Sequence, residues 1–311
     1  MSLRSSNLTM RINIISHVSI DDIVVGEHEY KDLLGGPPTY AGLTAANMGV
    51  SKVFIVSCVG HDFPSKFLNL YSKRGVDLTH LSVHKDAKTT RYRLVYKGDM
   101  RELYLVSKCK AIVVDELPGE ISYVSPIVDE INMETVKVIA ARSDITFLDP
   151  QGFFRVIKNR GKVSIVQWSE LWEACRICDF IKLSKDEAET LDDNPVMILR
   201  KIALLTKMGA SITMGPQGSL LAVKKDFRRI KIYHIPRYET RPKDPTGAGD
   251  VFGIVLLIEL LRGDDPSWAG AMASAAASIV VEGIGASRLP ERGEVLRRAR
   301  IIYERCSVKE V

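Results

Sequence analysis

The chain has 311 residues, 46% of them apolar, and a mean hydropathy of +0.02, enough to bury one large α/β core. Its formal charge is +5, from 43 basic and 38 acidic residues. That excess is too small and too dispersed to make nucleic acid the expected partner, and the densest basic run, Lys224 to Lys231, is accounted for by a solvated hairpin. The five cysteines, at 58, 109, 175, 178 and 306, form an odd and irregular set that suits a reducing interior better than a disulfide framework. Cys175 and Cys178 have a C-x-x-C spacing, but no second pair or histidine cluster accompanies them, and Trp168, Leu171 and Trp172 read as one buried helix with them.

Ile12 to Ser19 is a short β-rich run suited to a buried parallel strand, and Asp21 and Asp22 come directly after it. Ligands of open α/β sheets sit beyond the carboxyl ends of strands, so this acidic pair lies where a polar substrate is expected. Next, Gly35-Gly36-Pro37-Pro38 leads into a helical stretch over 39–49, with glycines that permit close backbone approach and proline at the helix entry. Lys52 to Val59 reads as a strand, Pro64 to Arg74 as a helix closed by Gly75, and the same βα rhythm recurs over 138–150, 179–191 and 203–215.

One segment departs from that rhythm. Thr89 to Val106 alternates polar and apolar residues about Lys97-Gly98-Asp99 and predicts a hairpin. With 20–34 it is expected to make a small accessory sheet, whose apolar face needs a substrate or a second subunit to cover it; a homodimer through that sheet is one expectation. Ile145 to Gly152 is a strand that delivers Asp149 and Gln151 to its carboxyl end. Phe180 to Glu187 does the same for Ser184 and Glu187, which also have the spacing of a capping box. Thr213-Met-Gly215-Pro-Gln-Gly218 reads as a turn between strands, and the carboxyl third reads as helical.

The stretch with most chemistry is Asp244-Pro-Thr-Gly-Ala-Gly-Asp250, at the mouth of an apolar helix. A glycine turn at a helix N-terminus aims unpaired N–H groups at an anion, and Asp250 adds a carboxylate able to take a proton from an attacking hydroxyl. Neither G-x-x-x-x-G-K-[ST] nor G-x-G-x-x-G occurs.

Taken in order, these motifs resemble the ribokinase-like (PfkB-type) sugar kinase family over nearly the whole chain. Asp244 to Asp250 resembles its carboxyl-terminal signature, Gly35-Gly36 the paired glycine of its amino-terminal one, and Gly60-His-Asp62-Phe63 and Gly75-Val-Asp77 two further landmarks. The resemblance implies a single domain over 1–311: a three-layer α/β/α sandwich with a mainly parallel central sheet and a small β-sheet lid at about 20–34 and 88–106. It implies an ATP-dependent kinase acting on a sugar or cyclic polyol, including the inositol kinases of a largely archaeal branch. Asp250 is then the catalytic base, and the turn Gly247, Ala248 and Gly249 the anion hole, with the N–H groups of Ala248, Gly249 and Asp250 on the γ-phosphate. Asp21, Gly35, Gly36, Tyr40 and Gln151 fall on the acceptor side. Ser184, Glu187, Thr213, Gly215 and Gly218 fall on the nucleotide side, with Glu187 meeting Mg²⁺ through water.

Two positions depart from the family pattern. Tyr40 stands where Asn is usual after the glycine pair, and Ser184 stands for the Asn of Asn-x-x-Glu. A nucleoside kinase, with Tyr40, Tyr92, Tyr96 and Tyr104 offering surfaces to a base, and a non-catalytic ligand sensor remain as alternatives, and a monovalent-cation site near Asp244, which some relatives have, is left open. Beside a helix N-terminus, Asp250 is expected to be ionised at neutral pH. The polar segment Met1 to Met10 and the shortness of the apolar run Val251 to Leu261 lead to the expectation of a cytoplasmic protein without a membrane span.

Overall fold

The computed structural model describes residues 9–97, 100–224 and 229–310, so Gly98 and Asp99, residues 225–228 of the basic run, the first eight residues and the last lie outside it. β1 (Arg11–Ile15) is followed at once by an antiparallel pair, β2 (Ser19–Val25) and β3 (His28–Gly35). A π-helical turn at Pro38–Gly42 runs into α1 (Leu43–Asn47), and β4 (Lys52–Gly60) returns parallel to β1. The helix expected over 64–74 is shorter, a 3₁₀ turn at Ser65–Phe67 and then α2 (Leu68–Ser72). The short strands β5 (Val76–Asp77) and β6 (Leu81–His84) both pair with β4. The expected hairpin forms as β7 (Thr90–Lys97) and β8 (Met100–Ser107).

The βα units then follow as β9 (Ile121–Val124), α3 (Met133–Arg142) and β10 (Ile145–Leu148). A small ribbon of β11 (Arg155–Ile157) and β12 (Val163–Ile165) precedes α4 (Leu171–Ile177), β13 (Phe180–Ser184), α5 (Lys185–Glu189), α6 (Pro195–Leu205) and β14 (Gly209–Thr213). β15 (Ser219–Lys224) and β16 (Ile230–Ile235) extend the sheet antiparallel. Helices α7 (Ala248–Leu261), α8 (Pro266–Val280) and α9 (Arg292–Tyr303) fill the carboxyl third, which ends in β17 (Ser307–Glu310), an edge strand that helical periodicity did not announce.

Among the described residues the main sheet has the order β17-β16-β15-β14-β13-β10-β9-β1-β4-β5, with β6 also on β4, and is parallel from β14 to β5. Its strands are buried on both faces. Ile12, Ile14, Tyr123, Phe147 and Phe180 point to the layer of α1, α7, α8 and α9, while Ile15, Val124, Leu148 and Ile181 point to that of α3 to α6. This is the three-layer sandwich expected of near-continuous apolar strands.

Helix α7 is central: every residue from Asp250 to Glu259 is buried. Glu259 is tolerated there because Arg262 and Arg292 pair with it. Under the helix Tyr123, Phe147 and Phe180 stack, with centroids 5.2 and 4.7 Å apart. A Cβ at Gly253 would lie 2.4 Å from the Tyr123 hydroxyl oxygen, so glycine there lets α7 rest on the stack. That contact sets Asp250 over the carboxyl ends of β9 and β10.

The second sheet has the order β3-β2-β7-β8. Strand alternation turns Ile23, Tyr92 and Leu94 inward, where they pack on Ile127 and Val128. The outward residues are tied by ion pairs, Arg91 with Asp22 and Asp32, and Arg93 with Glu29. The homodimer expectation rested on an uncovered apolar face. Ile23, Tyr92 and Leu94 of that face are buried against the chain's own residues, and Tyr92 and Leu94 also line a cavity.

Candidate active site

The loop before α7 is built around Asp244. One of its carboxylate oxygens accepts bonds from the Thr246 N–H (2.9 Å), the Thr246 hydroxyl (2.6 Å) and Tyr96 of β7 (2.9 Å); the other accepts from the Gly285 N–H at 2.8 Å. Gly247 then turns the chain at φ +80°, and a Cβ there would lie 2.2 Å from the Tyr40 ring, so position 247 excludes a side chain on two grounds. The Ala248 N–H donates to the Pro245 carbonyl at 3.2 Å, whereas those of Gly249 and Asp250 have no acceptor among the described residues. The expected trio of anion donors is thereby corrected to two, with Ala248 closing the turn.

Asp250 is buried over the strand ends. Its Oδ1 accepts from Gln151 Nε2 at 3.0 Å and from the Ser125 hydroxyl at 3.4 Å. Below it, fully buried Asp149 pairs with Lys182 Nζ of β13 at 2.6 Å. Gly249 is bare against this ammonium: a Cβ would be 3.1 Å from Nζ. Burial, then the charge of Asp149, raises the Asp250 carboxyl to about 7, with Lys182, Arg155 and the Gln151 bond pulling the other way. The expectation of a fully ionised Asp250 is therefore corrected. Desolvation outweighs the helix N-terminus, and near pH 7 the group is divided between its two forms.

On the facing side, Asp21 projects inward from β2 and accepts a bond from Ser19 at 2.8 Å, while Asp22 turns outward to Arg91. A Cβ at Gly35 would lie 2.0 Å from Asp21 Oδ2; Gly36, at φ +81°, would clash with the His17 carbonyl. The glycine pair thus makes room for Asp21 and for the turn beside it. Asp21 is also raised to about 7, by burial first and then by Asp244, Asp22 and Asp250. Asp21, Gly36, Tyr40, Gln151, Gly247 and Asp250 line one cavity, floored by the lid-side Tyr92 and Leu94. Tyr40 is buried there with its hydroxyl unpartnered.

The two elevated carboxyls have a consequence for stability. In the unfolded chain both titrate near 4, so between about pH 4 and 7 the native state holds more protons, and their contribution falls as pH rises through 7. Thermal unfolding of Asp21→Asn is expected to lose less of its midpoint from pH 4.5 to 7.5 than the wild type does; parallel curves would refute these raised values.

The residues expected on the nucleotide side gather on neighbouring strand ends, away from that cavity. Ser184 and Thr213 are register partners at the carboxyl ends of β13 and β14. Ser184 and Glu187 form the full capping box, with Ser184 N–H to Glu187 at 2.7 Å and the reverse bond at 3.3 Å. Gly215 (φ +54°) borders open space, whereas a Cβ at Gly218 (φ +85°) would meet the Ile235 carbonyl, so position 218 is reserved for glycine on two grounds. Glu187 is buried and raised by desolvation and Asp149, with Lys182 opposing. Its hard carboxylate oxygens are of the chemistry that meets Mg²⁺ through water. No group of three metal-binding side chains occurs among the described residues.

The profile of the pfkB family carbohydrate kinases matches residues 12–292. The chain belongs to that family. Accordingly it is a phosphotransferase with a hydroxyl acceptor. It is similar to the nucleoside kinase of Methanothermobacter thermautotrophicus, 25% identical over 86% of this chain and 85% of the other. It is similar also to inositol 3-kinase of Arabidopsis thaliana, 25% identical over 88% and 75%. Among solved structures, a pyrophosphate-dependent kinase in the ribokinase family bound to sulfate superposes with a TM-score of 0.78 at 23% identity, covering 92% of this chain and 99% of that one. Thermotoga maritima ribokinase superposes at 0.71 with 21% identity, over 94% and 99%.

Several residues of this pfkB-family site escaped the reading of the sequence. Lys182 was detectable in principle as a lone charge inside the apolar run Phe180 to Ser184. Arg155 and Ser125 left no local signal, since only the fold brings them to Gln151 and Asp250, and Tyr96, read as a surface for a base, bonds to Asp244. Cys175 and Cys178 are buried with thiols raised by desolvation, as packing residues are. No helix among the described residues is long and apolar enough to cross a membrane.

Proposed function

We propose that this kinase transfers a phosphoryl group from ATP to a hydroxyl of a sugar or cyclic polyol, with Asp250 as base. The observation that carries the proposal is two buried carboxylates, Asp21 and Asp250, facing one cavity whose third wall is the glycine turn. Asp21 fits one hydroxyl of a polyhydroxylated acceptor, and Asp250 orients and deprotonates the reacting one. Tyr40, with its unpartnered hydroxyl, is suited to donate to the acceptor. The N–H groups of Gly249 and Asp250 hold the group in transfer, with Lys182 behind them as fixed positive charge. Bound ATP, accompanied by Mg²⁺, supplies the electrophilic phosphoryl group at this turn. Ser184, Glu187, Thr213 and Gly215 face its phosphates.

The whole chain acts as one domain, and the small sheet is its lid. Tyr96 of β7 reaches the loop of the turn, with bonds to Asp244 (2.9 Å) and Thr246 (2.8 Å), which suits exclusion of water during transfer. Against a nucleoside acceptor stands the engagement of the tyrosines. Tyr92 is buried and bonded to the Ile127 carbonyl, Tyr96 is held on Asp244, and Tyr40 is packed on Gly247. A panel of hexoses, pentoses, inositols and nucleosides, with products identified by ³¹P NMR, tests the proposal. Phosphorylation of a sugar or inositol with nucleosides inert is expected; a nucleoside as the preferred acceptor would overturn it.

A further inference from the structure

We infer that Gln151, clamped by Arg155, is a positioning residue that holds the catalytic carboxylate of Asp250, and is not a ligand of the acceptor. The inference rests on the kinase reading above and assigns Gln151 a place in that machinery different from the one its position in the sequence suggested.

Four bonds fix the arrangement. Arg155, at the start of β11, donates through one nitrogen to the Ile127 carbonyl at 3.0 Å and through the other to Gln151 Oε1 at 2.6 Å. Gln151 Nε2 donates in turn to Asp250 Oδ1 and to the Ser125 hydroxyl, each at 3.0 Å. The direction of the amide is forced. A guanidinium has donors only, so the oxygen of Gln151 must face Arg155 and its NH₂ must face Asp250. Arg155 is itself pinned to the backbone of the loop after β9, so the relay is anchored at both ends. With Oδ1 taken up by Gln151 and Ser125, Oδ2 is the oxygen left for a hydroxyl in the cavity. Little of the amide remains for an acceptor.

The carboxylate also faces Asp149 at the end of β10, Lys182 from β13 and Asp21 from β2, while the Tyr123 hydroxyl of β9 donates to the backbone carbonyl of Asp250. Gln151 is the neutral donor among these charges. It favours the ionised form of Asp250 and sets its rotamer without adding charge to a site that must also admit phosphates. Tyr96 and Asp244 hold the turn in a comparable way, but from the opposite side and without touching Asp250.

The test is a ¹³C-carboxyl NMR titration of Asp250 in the unliganded enzyme, with the resonance assigned by its loss in Asp250→Asn. Gln151→Met removes the donor at nearly constant volume; Gln151→Glu keeps the Arg155 pair but turns an acceptor toward Asp250. The Asp250 midpoint is expected to rise by about one pH unit in Gln151→Met, an about fivefold loss of the ionised form at pH 7, and by more in Gln151→Glu. In acceptor kinetics kcat should fall about fivefold at pH 7 and recover toward pH 9, with the acceptor KM within about twofold of the wild type. An unmoved Asp250 midpoint in both variants would overturn the inference. So would a tenfold rise in acceptor KM at unchanged kcat. If the wild type phosphorylates no acceptor, the kinase reading fails, while the titration still decides whether Gln151 holds Asp250.

Discussion

Replacing Asp250 by Asn is expected to lower kcat by about three orders of magnitude while leaving the affinity for the nucleotide within about twofold. The amide has nearly the same shape and still accepts through one oxygen, and the Gly249 and Asp250 N–H groups that face the phosphate belong to the backbone. What is lost is the proton acceptor on the hydroxyl. The carboxyl of Asp250 is raised to about 7, so the wild-type kcat/KM should also fall on the acid side with a limb near neutrality. A variant that keeps more than a tenth of wild-type turnover, or an acid limb that survives in it, would remove Asp250 from the role of base.

The second large effect is on stability. Lys182→Met is expected to destabilise the protein by about 3–5 kcal/mol, because it leaves a charged Asp149 buried without its ion-pair partner. Their side chains are 5% and 0% exposed, and Asp250 and Glu187 stand beside them, so the orphaned carboxylate meets two further acids. Its protonation is the expected response. Accordingly the loss should shrink at low pH, and the double variant Lys182→Met with Asp149→Asn should recover most of it. Urea unfolding of the two variants decides the point. A loss below about 1 kcal/mol in Lys182→Met would mean that the pair is hydrated and does not act as fixed charge beneath the glycine turn.

These two predictions separate what was legible in the sequence from what was not. The sandwich was legible because its strands are buried on both faces and read as short apolar runs, and because the Thr89 to Val106 alternation marks a sheet with two unlike faces. The glycine turn was legible because glycine at 247 has a conformational reason that few other residues meet, and the inward place of Asp21 because Gly35 leaves room for it. Proton affinity was not legible. The helix N-terminus argues for an ionised Asp250, yet burial and Asp149, both products of the tertiary fold, carry more weight. The Ala248 N–H, the outward turn of Asp22 and the bonds of Gln151 are of the same kind: each depends on which neighbour a side chain or amide finds. β17 was missed because four residues at a sheet edge leave no period to read.

The role of the cavity follows from the same contacts. Tyr96 ties the small sheet to the loop of the turn, Arg155 and Gln151 tie β11 to Asp250, and the Tyr123–Phe147–Phe180 stack carries α7. The carboxylate proposed as the base is thus held from the small-sheet side, the strand ends and the helix at once, as a site that acts mainly by positioning requires.

The most direct measurement of the central claim is ADP release from ATP and Mg²⁺ with and without a polyhydroxylated acceptor. The arrangement of Asp21, Asp250 and the glycine turn predicts release that rises at least a hundredfold when the acceptor is added, with one phosphorylated hydroxyl formed per ADP. Release at the same rate without any acceptor, or with no phosphorylated product, would contradict it.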